Sequence, residues 1–336
     1  RVVCLSLANT NWYIQQLKDK PYYPEAKAVA MTLSDSRIAN IQPVLWEPRT
    51  IEIPVPKEVY ARFGITDTAD VNKGKLQWRM ANTLQFGQTK AIRVQDILVL
   101  NVIQANEWRR PIYFAVTCSP DARIGLEQYT RYTGLAWRLL PGRASEMAMG
   151  IDPAVLEASF MDESTAFYPD PHYGYRFQSL ADSTVFLDEN EERSVEVFRT
   201  GFRALASYYA DAEKNFQKSG RVLDRLEKVI PASRVPMSIE EQIDLALLYQ
   251  RIGRADRSDR LAATIESQFA AMTANGPASD PYLYAGMLQL YEAREENQKE
   301  LDLLNTLVKL YPNDPSLKQR ISMVQARLTK PAETRP

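Results

Sequence analysis

Apolar and polar positions divide the chain into two parts with different periods. Before about residue 190, short apolar runs alternate with irregular, proline-punctuated stretches, and all five tryptophans lie before residue 138. Beyond residue 190, apolar residues recur mostly three and four positions apart, which predicts amphipathic helices. We therefore expect an α/β domain over residues 1–190 and an all-α domain over residues 191–336.

The segment 96–117 is predicted to organise the first domain. Its first half, DILVLNVIQANEW, is apolar around most of a helical circumference, and Asp96 is the expected helix cap. Its second half is a β-branched and aromatic run over 112–116, which predicts a buried strand entered through Pro111. A strand that is apolar on both faces is typical of a sheet covered by helices.

Another buried strand is predicted over residues 2–7, followed by a helix over residues 12–18. This strand–turn–helix order is typical of a parallel α/β unit. We expect strands 2–7 and 112–116 to lie side by side in a small, mostly parallel sheet. Further strands are expected over 29–33, 50–55 and 135–140, a short amphipathic turn over 57–63, and a short helix over 126–132.

The second domain is expected to consist of paired helices. They are predicted over residues 192–218, 222–230, 239–252, 254–272, 282–293 and 298–311. Tyr249 lies four residues before Gly253, and Tyr291 and Pro312 take similar places in the next pair, a spacing typical of tetratricopeptide repeats. Glu295 stands where such a repeat usually has glycine. We expect a degenerate tetratricopeptide-like domain.

Charge and composition exclude several classes of function. The net charge is −1, so bulk electrostatics favours neither a nucleic acid nor a membrane surface as partner. No apolar run approaches the roughly 20 residues of a membrane-spanning helix. The chain begins at Arg1 and enters an apolar run at once, which we interpret as a piece of a longer protein.

Candidate chemistry is sparse. Cys4 and Cys118 have no zinc-site spacing, and they are compatible with a disulfide or with two buried free thiols. The single histidine, His172, lies in a loop-like run, so a His-based mechanism would depend on it alone. Glycine spacing matches neither a dinucleotide fingerprint nor a phosphate-binding loop. No catalytic residue, cofactor or metal is predicted.

A ligand site is expected beyond the carboxyl ends of the two predicted parallel strands. For the first strand these residues are Asn9, Thr10, Asn11 and Trp12, and for the second they are Thr117, Ser119 and Asp121. Amides, hydroxyls and an indole suit a sugar or a peptide. The alternative is that residues 9–11 cap the helix and Trp12 fills the core.

Four ordered motifs carry a family resemblance. They are VVCLSLANTNWYIQQLK (2–18), RRPIYFAVT (109–117), GLAWRLLP (134–141) and VFLDENEERSVEVFRTGFRALA (185–206), the last followed by LDRLEKVIP (223–231). The chain thereby resembles the C-terminal region of large bacterial multi-pass membrane proteins that are similar to the protein O-mannosyltransferases of glycosyltransferase family 117. Cys4 departs from the family pattern, and segment 22–88 matches none of its motifs.

The resemblance implies a non-catalytic tail on the periplasmic or extracytoplasmic face of the inner membrane. Membrane helices preceding the chain would handle a lipid-linked sugar, and the tail would recognise or hold an acceptor protein, peptide or glycan. Two alternatives stay open. One is a stand-alone scaffold that binds a protein through its helical repeats, and the other is a hydrolase or transferase with its own site in the α/β domain.

Overall fold

The computed structural model describes residues 2–19, 28–143, 150–164, 174–274, 276–277 and 280–329. The chain divides into two compact units, unit 1 (Arg1–Ser159) and unit 2 (Phe160–Pro336). All described strands belong to unit 1, and regular structure in the described part of unit 2 is helical. The predicted class, a mixed α and β part followed by an all-α part, is confirmed. The predicted domain limits at residue 190 stay a prediction.

Unit 1 is built from short elements. Its helices are α1 (Asn11–Asp19), α2 (Asp35–Ala39), α3 (Lys57–Arg62), α4 (Thr68–Lys73), α5 (Val94–Asn106) and α6 (Pro153–Phe160), the last residue of which belongs to unit 2. Its strands are β1 (Val44–Leu45), β2 (Arg49–Pro54), β3 (Lys75–Met80), β4 (Leu84–Phe86), β5 (Thr89–Ile92), β6 (Tyr113–Ala115), β7 (Thr130–Tyr132) and β8 (Ala136–Leu139).

The strands form three small antiparallel sheets, not one mostly parallel sheet. Their orders are β1-β5-β4, β2-β3 and β6-β8-β7. In the third sheet Phe114 of β6 lies opposite Trp137 of β8, and Tyr132 of β7 lies opposite the same tryptophan. The run at 112–116 thus contains a strand, as predicted, but the strand is not buried on both faces, since Phe114 is buried whereas Tyr113 and Ala115 are exposed. Its apolar character also contained no information on the direction of its partner.

Residues 2–7 are not a strand, which corrects the predicted neighbour of β6. The backbone N–H of Ala8 donates to the carbonyls of Cys4 and Leu5, both at 3.1 Å, and a 3-10 turn covers Leu7–Asn9. The backbone N–H of Cys4 donates to the Tyr13 hydroxyl at 2.9 Å. Local turns and a side chain therefore satisfy backbone groups that a sheet ladder would have used.

The strand expected over residues 29–33 is also absent, whereas the one expected over 50–55 is confirmed as β2. Thr32 lies in extended backbone, and its N–H donates to the Asn101 side chain of α5 at 2.9 Å. The Asn101 amide donates in return to the Thr32 hydroxyl at 2.6 Å. A helix side chain thus replaces the neighbouring strand that the apolar alternation had suggested.

Helix α5 joins the two apolar clusters of unit 1. Val94 and Leu98 pack with Ile14 and Leu17 of α1. Ile103, farther along α5, packs in the larger cluster that includes the core of the sheets. The prediction that α5 is covered on most of its circumference is therefore confirmed, and it explains why the helix lacks a single apolar stripe.

Three buried tryptophans tie the larger cluster to the backbone. The indole N–H of Trp46 donates to the Met80 carbonyl at 3.0 Å, and that of Trp78 donates to the Ile124 carbonyl at 2.9 Å. Trp108 donates in the same way to Pro54 at 3.0 Å. Each ring buries a large apolar surface while its single polar atom keeps a partner.

Unit 2 contains seven helices in its described residues after α6. They are α7 (Glu189–Asp211), α8 (Phe216–Val229), α9 (Ile239–Arg251), α10 (Ala255–Thr273), α11 (Pro281–Ala293), α12 (Asn297–Leu310) and α13 (Pro315–Thr329). Consecutive helices pack as α7 with α8, α9 with α10, and α11 with α12, and α9 also packs against α7 and α11. This arrangement is compatible with a helical repeat, although the periodicity analysis missed α13.

Similar turns close the three helical pairs. A tyrosine carbonyl in the first helix accepts a backbone N–H from the start of the second, between Tyr209 and Asn215 at 2.7 Å, Tyr249 and Arg254 at 2.9 Å, and Tyr291 and Glu296 at 2.9 Å. The residue before each donor has left-handed backbone, with φ of 52° at Lys214, 77° at Gly253 and 57° at Glu295. The second and third turns have the same length, whereas the first is one residue longer, and only the second has glycine at the left-handed position.

A close approach of ring and glycine organises the start of unit 2. Gly201, in the middle of α7, faces the ring of Phe160, and a Cβ at Gly201 would lie 2.1 Å from the Phe160 Cζ. The Phe160 ring also packs edge to face on Phe202 at 4.7 Å between centroids. Glycine at position 201 therefore makes room for the ring.

Candidate functional site

The first turn of α5 is the most polar buried feature of unit 1. Asp96 is fully buried, and its carboxylate accepts the backbone N–H of Arg93 at 2.8 Å. The Arg93 guanidinium binds the same carboxylate through Nε and Nη2, both at 3.0 Å, and the Thr83 hydroxyl donates to it as well. Asp96 is thus the third residue of the helix, not its cap, and it stabilises the start of α5 from within.

The Arg93 guanidinium also holds Asp121. Its Nη1 lies 2.7 Å from Asp121 Oδ2, and the Asp121 side chain is 46% exposed. The Ser119 side chain hydrogen-bonds Asp121 and, together with Arg93, lowers the pKa of the Asp121 carboxyl below its usual range. Asp121 is therefore an ionised hydrogen-bond acceptor at neutral pH with one side open to solvent.

Asn9 reaches the same helix start from the N-terminal segment. Its side-chain amide donates to Gln95 Oε1 at 2.8 Å, and its Oδ1 accepts the backbone N–H of Gln95 at 3.1 Å. One of the first N–H groups of α5, which lack partners within the helix, is thereby satisfied. Both ends of the Asn9 amide are engaged, so its role is to fasten residues 7–9 to α5.

The next three predicted residues differ in their surroundings. The Thr10 hydroxyl donates to the Leu7 carbonyl at 2.7 Å, and Asn11 Oδ1 accepts the N–H of Trp12 at 2.7 Å. Trp12 is 57% exposed and contacts Tyr13 edge to face at 5.6 Å. Local hydrogen bonds therefore occupy Thr10 and Asn11, and the Trp12 ring does not fill the core.

The predicted residues after β6 are on the surface. Thr117, Ser119 and Asp121 are all exposed. The 3-10 turn Pro120–Arg123 positions Asp121 towards Arg93. Asn9 and Asp121, which we predicted at one sheet edge, thus bind residues two positions apart at the start of α5. Helix α5 brings them together, and the parallel strands on which the prediction relied do not exist.

Sequence reasoning missed Arg93 and Gln95, the two residues that receive these contacts. The available signal was the spacing of Arg93 and Asp96, which is that of a residue at a helix start and the third residue within the helix. The predicted cap, Asp96, lies three residues after the observed cap, Arg93.

An apolar groove lies along the rest of α5. It has a volume of about 670 Å³, and its lining includes Leu98, Val99, Val102 and Ile103 of α5. Further lining residues come from the N-terminal segment, from residues 29 and 30, and from β6 and its flanks: Val2, Val3, Leu5, Val29, Ala30, Pro111, Ile112, Tyr113, Phe114 and Ala115. Only Asn106, Arg110 and Cys118 of the lining residues carry polar or ionisable side-chain groups besides the Tyr113 hydroxyl.

The described residues supply neither a cluster of metal ligands nor a disulfide to this site. Among the described residues, no three or more His, Cys, Asp or Glu side chains are grouped so that they could hold a metal ion. Cys4 and Cys118 are free thiols, Cys4 exposed and Cys118 partly buried. His172 lies outside the described residues. In the described part of the chain, none of the helices is both long and apolar enough to cross a membrane.

Comparison with known proteins finds a sequence family that matches part of the chain. Residues 39–155 match the sequence family described as TMEM260-associated domain 2. The matched range contains α5, Arg93 and Asp121, but it ends before the helices of unit 2 and begins after Asn9 and Trp12. No curated protein and no solved structure matches the chain.

Proposed function

We propose that this chain is an extracytoplasmic region of a membrane protein of the glycosyltransferase type, and that it holds the acceptor without transferring the sugar itself. The match of residues 39–155 to a TMEM260-associated domain carries the proposal, since TMEM260 is a protein O-mannosyltransferase-like membrane protein. The match covers most of unit 1, including Arg93 and Asp121 of the candidate site but not Asn9 or Trp12. Extracytoplasmic location and acceptor binding go beyond the match.

The exposed groups of the site suit a hydroxyl-bearing peptide. The Asp121 side chain is 46% exposed, and a carboxylate accepts hydrogen bonds from hydroxyl and amide donors. The half-exposed Trp12 ring supplies an apolar surface for a side chain or a sugar ring. These two residues are the ones we expect the acceptor to contact.

Catalysis by Asp121 is disfavoured by its electrostatics. A general base works best when its pKa lies near the working pH, whereas Ser119 and Arg93 lower the pKa of Asp121. This favours a binding role over the alternative in which unit 1 is a hydrolase or transferase in its own right.

Unit 2 supports a second function, the binding of a protein partner by stacked helices. The observation that favours it is the recurrence of a tyrosine carbonyl and a left-handed residue in the turn of each helical pair from α7 to α12. Such series present extended surfaces to partners. The two functions are compatible, because the acceptor of a protein glycosyltransferase is itself a protein.

Peptide binding tests the proposal. The purified chain is titrated with an array of serine- and threonine-containing peptides and with the same peptides carrying alanine at those positions. We expect preference for the hydroxyl peptides, and a loss of about ten-fold or more in affinity on Asp121→Ala or Trp12→Ala. Asp35→Ala is the matched control, because Asp35 is an exposed carboxylate of unit 1 paired with Lys18.

A transfer assay addresses catalysis. The purified chain, the chain with Asp121→Asn, and membranes that contain the product of the complete gene are each given a radiolabelled lipid-linked mannose and the selected peptide. We expect transfer with the membranes alone. Transfer by the purified chain that Asp121→Asn abolishes would overturn the non-catalytic role, and equal binding of hydroxyl and alanine peptides would overturn acceptor recognition.

A further inference from the structure

The apolar groove along α5 has no role in the proposed function. Its volume of about 670 Å³ lies within the roughly 300–1,000 Å³ of small-molecule sites. The walls are rigid in part, because Leu98 is buried at 1% exposure and Phe114 at 6%. Asn106 is also buried, and its amide is satisfied by the Arg110 carbonyl at 2.7 Å. The groove therefore offers hydrocarbon contact along most of its length.

One positive charge borders the groove. Arg110 lines it and is exposed, and its Nη2 donates to the Ala28 carbonyl at 3.2 Å. Within the part of the chain that the structure describes, no carboxylate pairs with Arg110. The adjacent Arg109 is different, because it is paired with Glu107 and does not line the groove. A guanidinium that lines an apolar groove, with donors that have no partner among the described residues, is complementary to a planar carboxylate.

We propose that this groove binds a single long-chain fatty acid, with the hydrocarbon chain against α5 and β6 and the carboxylate on Arg110. A linear hydrocarbon chain fits the groove, because most of the lining residues, Val2 and Ile112 among them, are apolar. Few lining residues could orient a polar ligand. A single guanidinium balances a single carboxylate charge. An apolar peptide is the competing occupant, and it would require partners for its backbone N–H and C=O groups that this lining does not supply.

Binding of a homologous series of saturated fatty acids, from decanoate to palmitate, to the full chain below their micellar concentrations tests the proposal. Affinity is measured by displacement of a fluorescent fatty acid. We expect saturable binding at one site and a rise of up to about four-fold in affinity for each added CH₂ until the groove is filled, after which the affinity levels off. The matching fatty alcohols are expected to bind at least ten-fold more weakly.

Two matched substitutions locate the carboxylate. Arg110→Gln is expected to weaken palmitate at least ten-fold and to leave the alcohol within two-fold, whereas Arg109→Gln is expected to leave both within two-fold. Val102→Trp, which fills the groove from α5, is expected to abolish the binding of both ligands. Circular dichroism and the unfolding midpoint show whether each variant is folded. If Val102→Trp unfolds the chain, Ala136→Leu is a milder substitution that also fills the groove, because Ala136 is one of the lining residues.

The possible failures are distinct. No saturable binding, equal loss in Arg110→Gln and Arg109→Gln, or binding that Val102→Trp and Ala136→Leu leave intact would each overturn the assignment. Displacement of the fluorescent probe by an apolar octapeptide but not by palmitate would assign the groove to a peptide instead. None of these results bears on peptide recognition through Asp121 and Trp12, which is measured separately.

Discussion

Arg93 binds Asp121 through a contact of 2.7 Å between Nη1 and Oδ2, and the same guanidinium holds the fully buried Asp96. One side chain thus joins an exposed carboxylate on a turn to the buried first turn of α5. Asn9 binds Gln95 in the same turn. Three segments of unit 1 therefore meet here: the N-terminal segment, the turn that carries Asp121, and α5 itself. Its integrity governs both the stability of unit 1 and the position of the candidate site.

Arg93→Met tests this dependence. The substitution leaves the Asp96 carboxylate buried without its cationic partner, and we expect a loss of about 3 kcal/mol in the free energy of unfolding. Urea denaturation followed by circular dichroism measures it. The control is Arg109→Met, which removes an exposed pair and is expected to cost less than about 1 kcal/mol. Equal effects of the two substitutions would contradict the role assigned to Arg93.

The pH dependence of stability should report Asp121. Its pKa is lower in the folded chain than the ordinary value of 3.8, so ionised Asp121 stabilises the fold above that value, and the contribution disappears as pH falls through the lowered pKa. Asp121→Asn is expected to lower the free energy of unfolding at pH 7 by less than about 1 kcal/mol, since the group is half exposed. The difference from the unmodified chain should shrink below about pH 4, and a difference that grows there would contradict the ion pair.

Two helical glycines should respond differently to alanine. Gly201→Ala places a Cβ against the Phe160 ring and is expected to destabilise the chain by about 1–3 kcal/mol despite the better helix propensity of alanine. Gly220→Ala meets only the flexible end of Arg254, at 2.5 Å from Nη2, so the propensity gain of up to about 1 kcal/mol should offset the displacement. Thermal unfolding midpoints distinguish the two, and a Gly201→Ala variant as stable as the unmodified chain would contradict the packing of Phe160.

The left-handed residues in the turns of unit 2 offer a test of backbone strain. Lys214→Gly is expected to stabilise the chain by about 0.5–1 kcal/mol, because the left-handed backbone at this position strains a residue with a Cβ. Gly253→Ala, at the left-handed position of the next turn, is expected to destabilise by about 1 kcal/mol. Guanidinium denaturation of the two variants measures both. Changes of the same sign would contradict the left-handed backbone at one of the two positions.

The local pattern of apolar residues was sufficient to predict most of the long helices. The periodicity of apolar residues predicted α5 and the helices from α9 to α12 to within a few residues, because each of these helices has to bury a side on its neighbours. It placed the break between α7 and α8 near Gly220, whereas α7 ends at Asp211 and α8 begins at Phe216. It failed at α13, which begins at Pro315 and has one fully buried apolar residue, Val324. A helix that buries so little leaves a weak apolar period in the sequence.

For the candidate site, the sequence supplied residue types but not their neighbours. Asn9, Trp12 and Asp121 were recognised as chemically apt, whereas Arg93 and Gln95 were missed because contacts between distant positions leave no local signature. The groove along α5 was missed for the same reason. Its walls are apolar residues of several segments, and each segment taken alone is predicted to be part of the buried core.

The sequence by itself determined α5, most helices of the all-α part, and the order of a mixed α and β part before an all-α part. Tertiary structure alone decided that the strands pair antiparallel, that residues 2–7 are an irregular segment, and that Arg93 lies between Asp96 and Asp121. The physical reason is that helix hydrogen bonds form within one segment, so the segment encodes them. Strand partners and ion pairs are chosen among distant segments, and only the packed chain makes that choice.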